Sequence, residues 1–156
     1  MKDPYWDAFI NRLPHDPNNL ITHAFKQVQP GGVNPVRTEV HSPNVMAQHV
    51  KDLAQFYGAD RVGIVAVGDG RSAIICLTRA EHDTTKALGI GGQTPAMKGL
   101  FATFTLGAYI REMGYATDPY DLDARALATT AGLRHEGMHV ADVIVTDLPL
   151  QADNKL

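Results

Sequence analysis

The sequence predicts a single α/β domain, a small central sheet flanked by helices. Three observations carry this expectation. Two runs rich in β-branched residues, 61–67 and 72–78, are separated only by Gly68-Asp69-Gly70-Arg71, which marks a β-hairpin. Helical periodicity brackets them, in residues 43–57 before and 95–113 after. A third apolar run, 142–148, ends at Pro149 and supplies a further strand. With 156 residues and 44% hydrophobic content, the chain can bury one core and has little room for a second independent domain.

Taken in order, residues 4–13 place Tyr5, Trp6, Phe9, Ile10 and Leu13 at helical spacing, and a second short helix is expected over 19–28. Pro30, Gly31, Gly32, Pro35 and Pro43 make the next stretch an extended linker. The division that follows is an N-terminal helical extension and linker, 1–42, and a core, 43–156. Ser42-Pro43 opens the first core helix, a hydroxyl N-cap with proline at the first helical position. Val45, Met46, His49, Val50, Leu53, Ala54 and Tyr57 give that helix its apolar positions, and Gly58 ends it. After the hairpin, residues 81–94 read as a polar, glycine-containing segment, and Pro95 is expected to start the longest helix. Met97, Leu100, Phe101, Phe104, Leu106, Ala108, Tyr109 and Ile110 make it apolar on nearly every side, as befits a central helix. Asp118-Pro119 interrupts the chain, and residues 122–133 form one more helix.

Charge and composition exclude several classes. The net charge of −3 arises from scattered residues, so no basic footprint for nucleic acid or an anionic membrane exists. The longest apolar runs fall far short of the roughly 20 residues that span a bilayer, and the N-terminus lacks the apolar core of a secretory signal. A cytoplasmic protein is the expectation. Cys76, the one cysteine, lies in the run Ala73 to Leu77 and reads as a buried core thiol.

Several constellations invite a functional reading. His135-Glu136-Gly137-Met138-His139 spells the zincin pattern, in which two histidines one helical turn apart bind zinc. Glycine at its centre and a strand directly after it argue against the helix that the pattern needs, and surface histidines are commonly inert. Gly89-Ile90-Gly91-Gly92 could expose N–H groups to a phosphate, but it has no P-loop lysine, and a flexible lid is the plainer reading. Phe101, Phe104 and Tyr109 could line a flat, aromatic-friendly cavity suited to a macrocycle, although such stripes usually pack a core. Asp118, Asp121 and Asp123 lack the remainder of a calcium loop, and capping by Asp121 accounts for them.

Three segments, in this order, resemble the reductive dehalogenases and, more distantly, the epoxyqueuosine reductases. The first is 46–64, a helix, the Gly58 turn and a strand; the second is Tyr109-Ile110-Arg111-Glu112-Met113-Gly114-Tyr115-Ala116. The third is Ala131-Gly132-Leu133, followed by Val145-Thr146-Asp147-Leu148-Pro149-Leu150. The resemblance implies a nitroreductase-like core whose sheet and central helix cradle a corrinoid, with cobalamin as cofactor. It places His135 and His139 on a loop that meets the ligand, as contacts to a metal or to the corrinoid edge.

The sequence departs from the family in three ways. Arg134 to His139 replaces a Gly-Glu-x-Gly-Arg pattern, with Met138 at the arginine. Phe101 and Phe104 stand where a proton-donating tyrosine is sought, so no catalytic residue is carried over. The family's two cysteine clusters are missing before Leu156, so no iron–sulfur cluster is expected, and an enzyme would need a separate electron-donor protein. The expectation is a cobalamin-binding protein acting in binding, trafficking or as a redox subunit. The alternatives are a flavin- or haem-binding oxidoreductase on the same fold and a non-catalytic dimerisation module. Apolar helices also suggest a homodimer.

Overall fold

A computed structural model describes residues 31–79, 90–119, 123–140 and 143–155. The helices expected over 4–13 and 19–28, residues 81–89 and Asp121 lie outside them.

Helix α1, Pro43–Phe56, begins as expected: Ser42 Oγ accepts from Val45 N at 3.3 Å and Pro43 occupies the first turn. Its inward face is Ala47, Val50 and Ala54. At its end Ala59 N donates to Ala54 O and Gly58 N to Gln55 O, the paired bonds of a Schellman cap. His49, expected on the apolar face, is instead exposed.

Strands β1, Arg61–Gly68, and β2, Arg71–Arg79, form the expected hairpin, with Val62 opposite Cys76 and Ile64 opposite Ile74. Asp69 and Gly70 both take positive φ, 56° and 70°. That pair matches the tight turn whose twist suits a hairpin, and aspartate and glycine are the residues that tolerate it.

The long helix α2 runs Ile90–Glu112 with Pro95 inside it, where Pro95 was expected to be its start. A proline there lacks the helical donor and its ring crowds the carbonyl four residues back, so the turn before it is helical at the cost of that bond. Pro95 O also accepts from the buried Thr78 Oγ1 at 2.7 Å, which ties this turn to β2. After α2 come β3, Thr117–Pro119, and α3, Ala124–Thr130, capped by Asp123. Then follow β4, Met138–Val140, β5, Ile144–Thr146, and β6, Asn154–Lys155. The strand expected over 142–148 is β5 alone, and β3, β4 and β6 were not anticipated.

Among the described residues, these six strands make one sheet of order β3-β5-β2-β1-β6, with β4 also on β2. Only β6 is parallel to its neighbour. Strand alternation divides the core. Val62, Ile64, Ile74 and Cys76 face α1 and α2 in one cluster, while Val65, Ala73, Ile75 and Leu77 face Leu127 and Ala128 of α3 in another. Helices therefore cover both faces of the sheet, and the α/β expectation holds.

Residues 31–42 are not a free linker. Asn34 N donates to Arg111 O, Thr38 N to Met113 O and Tyr115 Oη to Thr38 O. Arg37 lies 4.4 Å over the Tyr115 ring. Gly114, at φ 93°, permits this docking, because a Cβ there would stand 2.6 Å from Arg37 Cα. At the other end of the chain, Asp153 accepts from Lys51 Nζ at 2.6 Å and from Ile64 N at 2.9 Å, locking the C-terminal segment onto β1 and α1.

Candidate functional site

Helix α2 carries the predicted aromatic residues, and its exposure pattern decides what they can do. Thr94, Lys98, Phe101, Ala108 and Glu112 are exposed, at steps of one helical turn, with the half-buried Thr105 among them. The helix therefore has a solvent stripe, where burial on nearly every side was expected. One sheet face together with α1 can cover only part of its circumference.

Phe101 is the large apolar residue on that stripe, 52% exposed. At roughly 100° per residue, Phe104 lies about 60° to one side of it and Tyr109 about 80° to the other. Both are half-buried. Tyr109 leans toward α1, where its Oη is 3.0 Å from His49 Nε2 and the two rings are 5.7 Å apart. The three rings thus form a ridge with Phe101 at its crest, flanked by the small residues Thr105 and Ala108. The wall of a cavity was expected here, and the structure shows an outward aromatic surface instead, because Phe101 lies on the solvent stripe of α2.

The histidine loop lies elsewhere. His135 Nε2 is 2.9 Å from Thr129 Oγ1 of α3, the helix on the opposite sheet face from α2. Gly137 is at φ 68° in a turn, and His139 belongs to β4, its backbone opposite Thr78. The pattern is therefore not helical, and the zincin geometry fails for that reason. Among the described residues, no three His, Cys, Asp or Glu side chains could hold a metal ion together. Of the predicted residues, Phe101, Phe104 and Tyr109 lie on α2 and His135 is bonded to α3, while His139 stands in β4 opposite Thr78.

Cys76 is fully buried, as the sequence suggested. Desolvation pushes its thiol up to about 12, partly offset by a hydrogen bond with Thr103. It is a core side chain with no thiolate to offer a metal or substrate. Asp123 Oδ1 caps α3 by accepting from Arg125 N and Ala126 N.

The segments that carry the family resemblance build architecture. Gly114 and Tyr115 dock residues 31–42; Asp147 accepts from Ala116 N and Arg37 Nη2; Thr146 Oγ1 donates to Ala116 O. Sequence reasoning overlooked Arg111 as a chemical group. It is 9% exposed, Nη1 donates to Thr117 Oγ1 at 2.7 Å, and Nε is buried without a hydrogen-bond partner. The sequence carried no signal for it, because an arginine at the C-terminal end of an apolar helix reads equally as a solvated cation beside the helix dipole.

No protein-family model and no curated protein matches the chain. Solved structures do. The catabolic reductive dehalogenase NpRdhA, N-terminally tagged, is 21% identical with a TM-score of 0.69 over 96% of this chain and 27% of its own. Its complex with 3-bromo-4-hydroxybenzoic acid gives 20% and 0.72 over 96% and 28%. A reductive dehalogenase structure described as suggesting a mechanism for B12-dependent dehalogenation gives 20% and 0.71 over 96% and 28%. The chain thus spans about a quarter of the length of these proteins. At this identity the likeness concerns the fold, and this chain has a reductive-dehalogenase-like α+β fold.

Proposed function

We propose that this chain is a corrinoid-binding domain that serves cobalamin binding, trafficking or a redox enzyme whose electrons come from a separate protein. The observation that carries the reading is the likeness, over 96% of this chain, to a reductive dehalogenase structure described as suggesting a mechanism for B12-dependent dehalogenation. The outward ridge of α2 supports it. Phe101, flanked by Phe104 and Tyr109, would hold the ring by apolar contact, and α2 would shield one side of it from water. A bound corrinoid would supply a redox-active cobalt. The described residues add no cysteine ligand, since the thiol of Cys76 is sealed in the core.

The test is a titration of purified protein with cobalamin, followed by visible difference spectra, with flavin and haem in parallel. Saturable change with cobalamin at about one equivalent supports the reading. Saturation by flavin or haem alone replaces it with an oxidoreductase of another cofactor, and no change with any of the three removes it. Sedimentation of the same samples tests the proposed homodimer, for which the exposed Val45 and Phe56 on α1 are the apolar surface.

A further inference from the structure

Arg111 presents an unbalanced charge inside the fold. Its guanidinium folds back along α2 over Gly107, where a Cβ would stand 3.2 Å from Nη1. Long side chains on helices lean toward the N-terminus, and this one accordingly turns away from the carbonyl end that would welcome a cation. Among the described residues, no carboxylate lies within ion-pair distance of it. Asp118 faces Arg71 at 4.0 Å, Asp147 binds Arg37, and Glu112 is exposed. Burial lowers Arg111 below the usual arginine range, the expected response of a cation held away from water. A buried N–H with no acceptor and a cation with no counter-charge among the described residues are rare in folded proteins and mark Arg111 as a candidate anion contact.

We propose that the Arg111 guanidinium, oriented by the Thr117 hydroxyl, is a receptor for a small carboxylate ligand at the seam of α2 and β3. Nε lies on the side-on edge of the guanidinium fork, whose spacing matches the two oxygens of a carboxylate. Thr117 Oγ1 accepts from Nη1, on the far side of the guanidinium from that edge, and so fixes the orientation of the fork without touching the anion. A single cation suits a monoanion better than a phosphate dianion, because the neighbouring Arg37 and Arg71 are turned to Asp147 and Asp118. This site does not depend on the corrinoid reading.

The experiment titrates acetate and benzoate into the full chain at constant ionic strength, with chloride as control, and follows the arginine Nε–H signals by nitrogen-edited proton NMR. One signal, missing from Arg111→Met and Arg111→Lys, should move saturably with either carboxylate and stay still with chloride. Arg111→Lys, which keeps the charge and loses the fork, should bind about tenfold more weakly or worse. Thr117→Val should weaken binding roughly fivefold, the equivalent of one hydrogen bond. If the Arg111 variants fail to fold, the wild-type titration and Thr117→Val still decide. A carboxylate response no larger than that of chloride overturns the proposal, as does undiminished affinity in Arg111→Lys or Thr117→Val.

Discussion

A thiol that water never reaches responds to pH through the unfolded chain. Cys76 ionises at its ordinary 9.0 when exposed and only at about 12 in the fold, chiefly because burial penalises the thiolate. Between those values the unfolded chain releases a proton that the folded chain keeps. The contribution is therefore intact below pH 9 and declines above it by about 1.4 kcal/mol per pH unit until the folded thiol titrates. Urea unfolding on both sides of pH 9 should show a steeper alkaline loss for the wild type than for Cys76→Ala, since all other groups are common to both. A thiol reagent should also leave the native protein unmodified. This residue was legible because a cysteine between Ile75 and Leu77 in a β-branched run has little choice but the core. Arg111 was not, because charge alone does not disclose which side of an apolar helix faces the sheet.

At the scale of elements, legibility followed local chemistry. The start of α1 needed only Ser42 and Pro43, and the hairpin only Asp69-Gly70, since each device fixes its own backbone. Pro95 misled because a proline inside the first turns of a helix and a proline at its start share one sequence signature. The three-residue strands β3 and β4 are too short to show alternation, and their pairing to β5 and β2 is set from elsewhere in the chain. Helix α3 tests how much one cap carries. At seven residues it is far below the length that persists alone, so its stability rests on Asp123 at one end and on Leu127 and Ala128 against the sheet. Asp123→Ala should lower global stability by about 1 kcal/mol in urea unfolding. It should also speed amide exchange at Leu127 and Ala131, whose N–H groups bond within this turn, well before α1 is affected.

Across the whole molecule, the sheet is a partition. The ridge of Phe101, Phe104 and Tyr109 belongs to α2 on one face, and His135 is bound to Thr129 of α3 on the other. The fold class was readable from the segments around Gly58, Gly114 and Asp147 because these hold elements together. The site was less so, because the candidate residues gave no hint that the sheet would set His135 apart from the three aromatic ones. That separation makes the corrinoid reading specific. Phe101→Glu places a charge at the crest of the ridge without disturbing packing, since the residue is 52% exposed. It should weaken cobalamin binding about tenfold or more, by loss of aromatic contact and burial of a charge against the ring. His135→Ala should leave the affinity unchanged within about twofold, because nothing on the α3 face reaches that ridge, and surface changes of this kind shift stability by only about 0.5 kcal/mol. Spectral titration of both variants, with unfolding midpoints as control, distinguishes the two faces. Binding lost in His135→Ala and kept in Phe101→Glu would move the ligand to the histidine loop and leave the α2 ridge as ordinary surface.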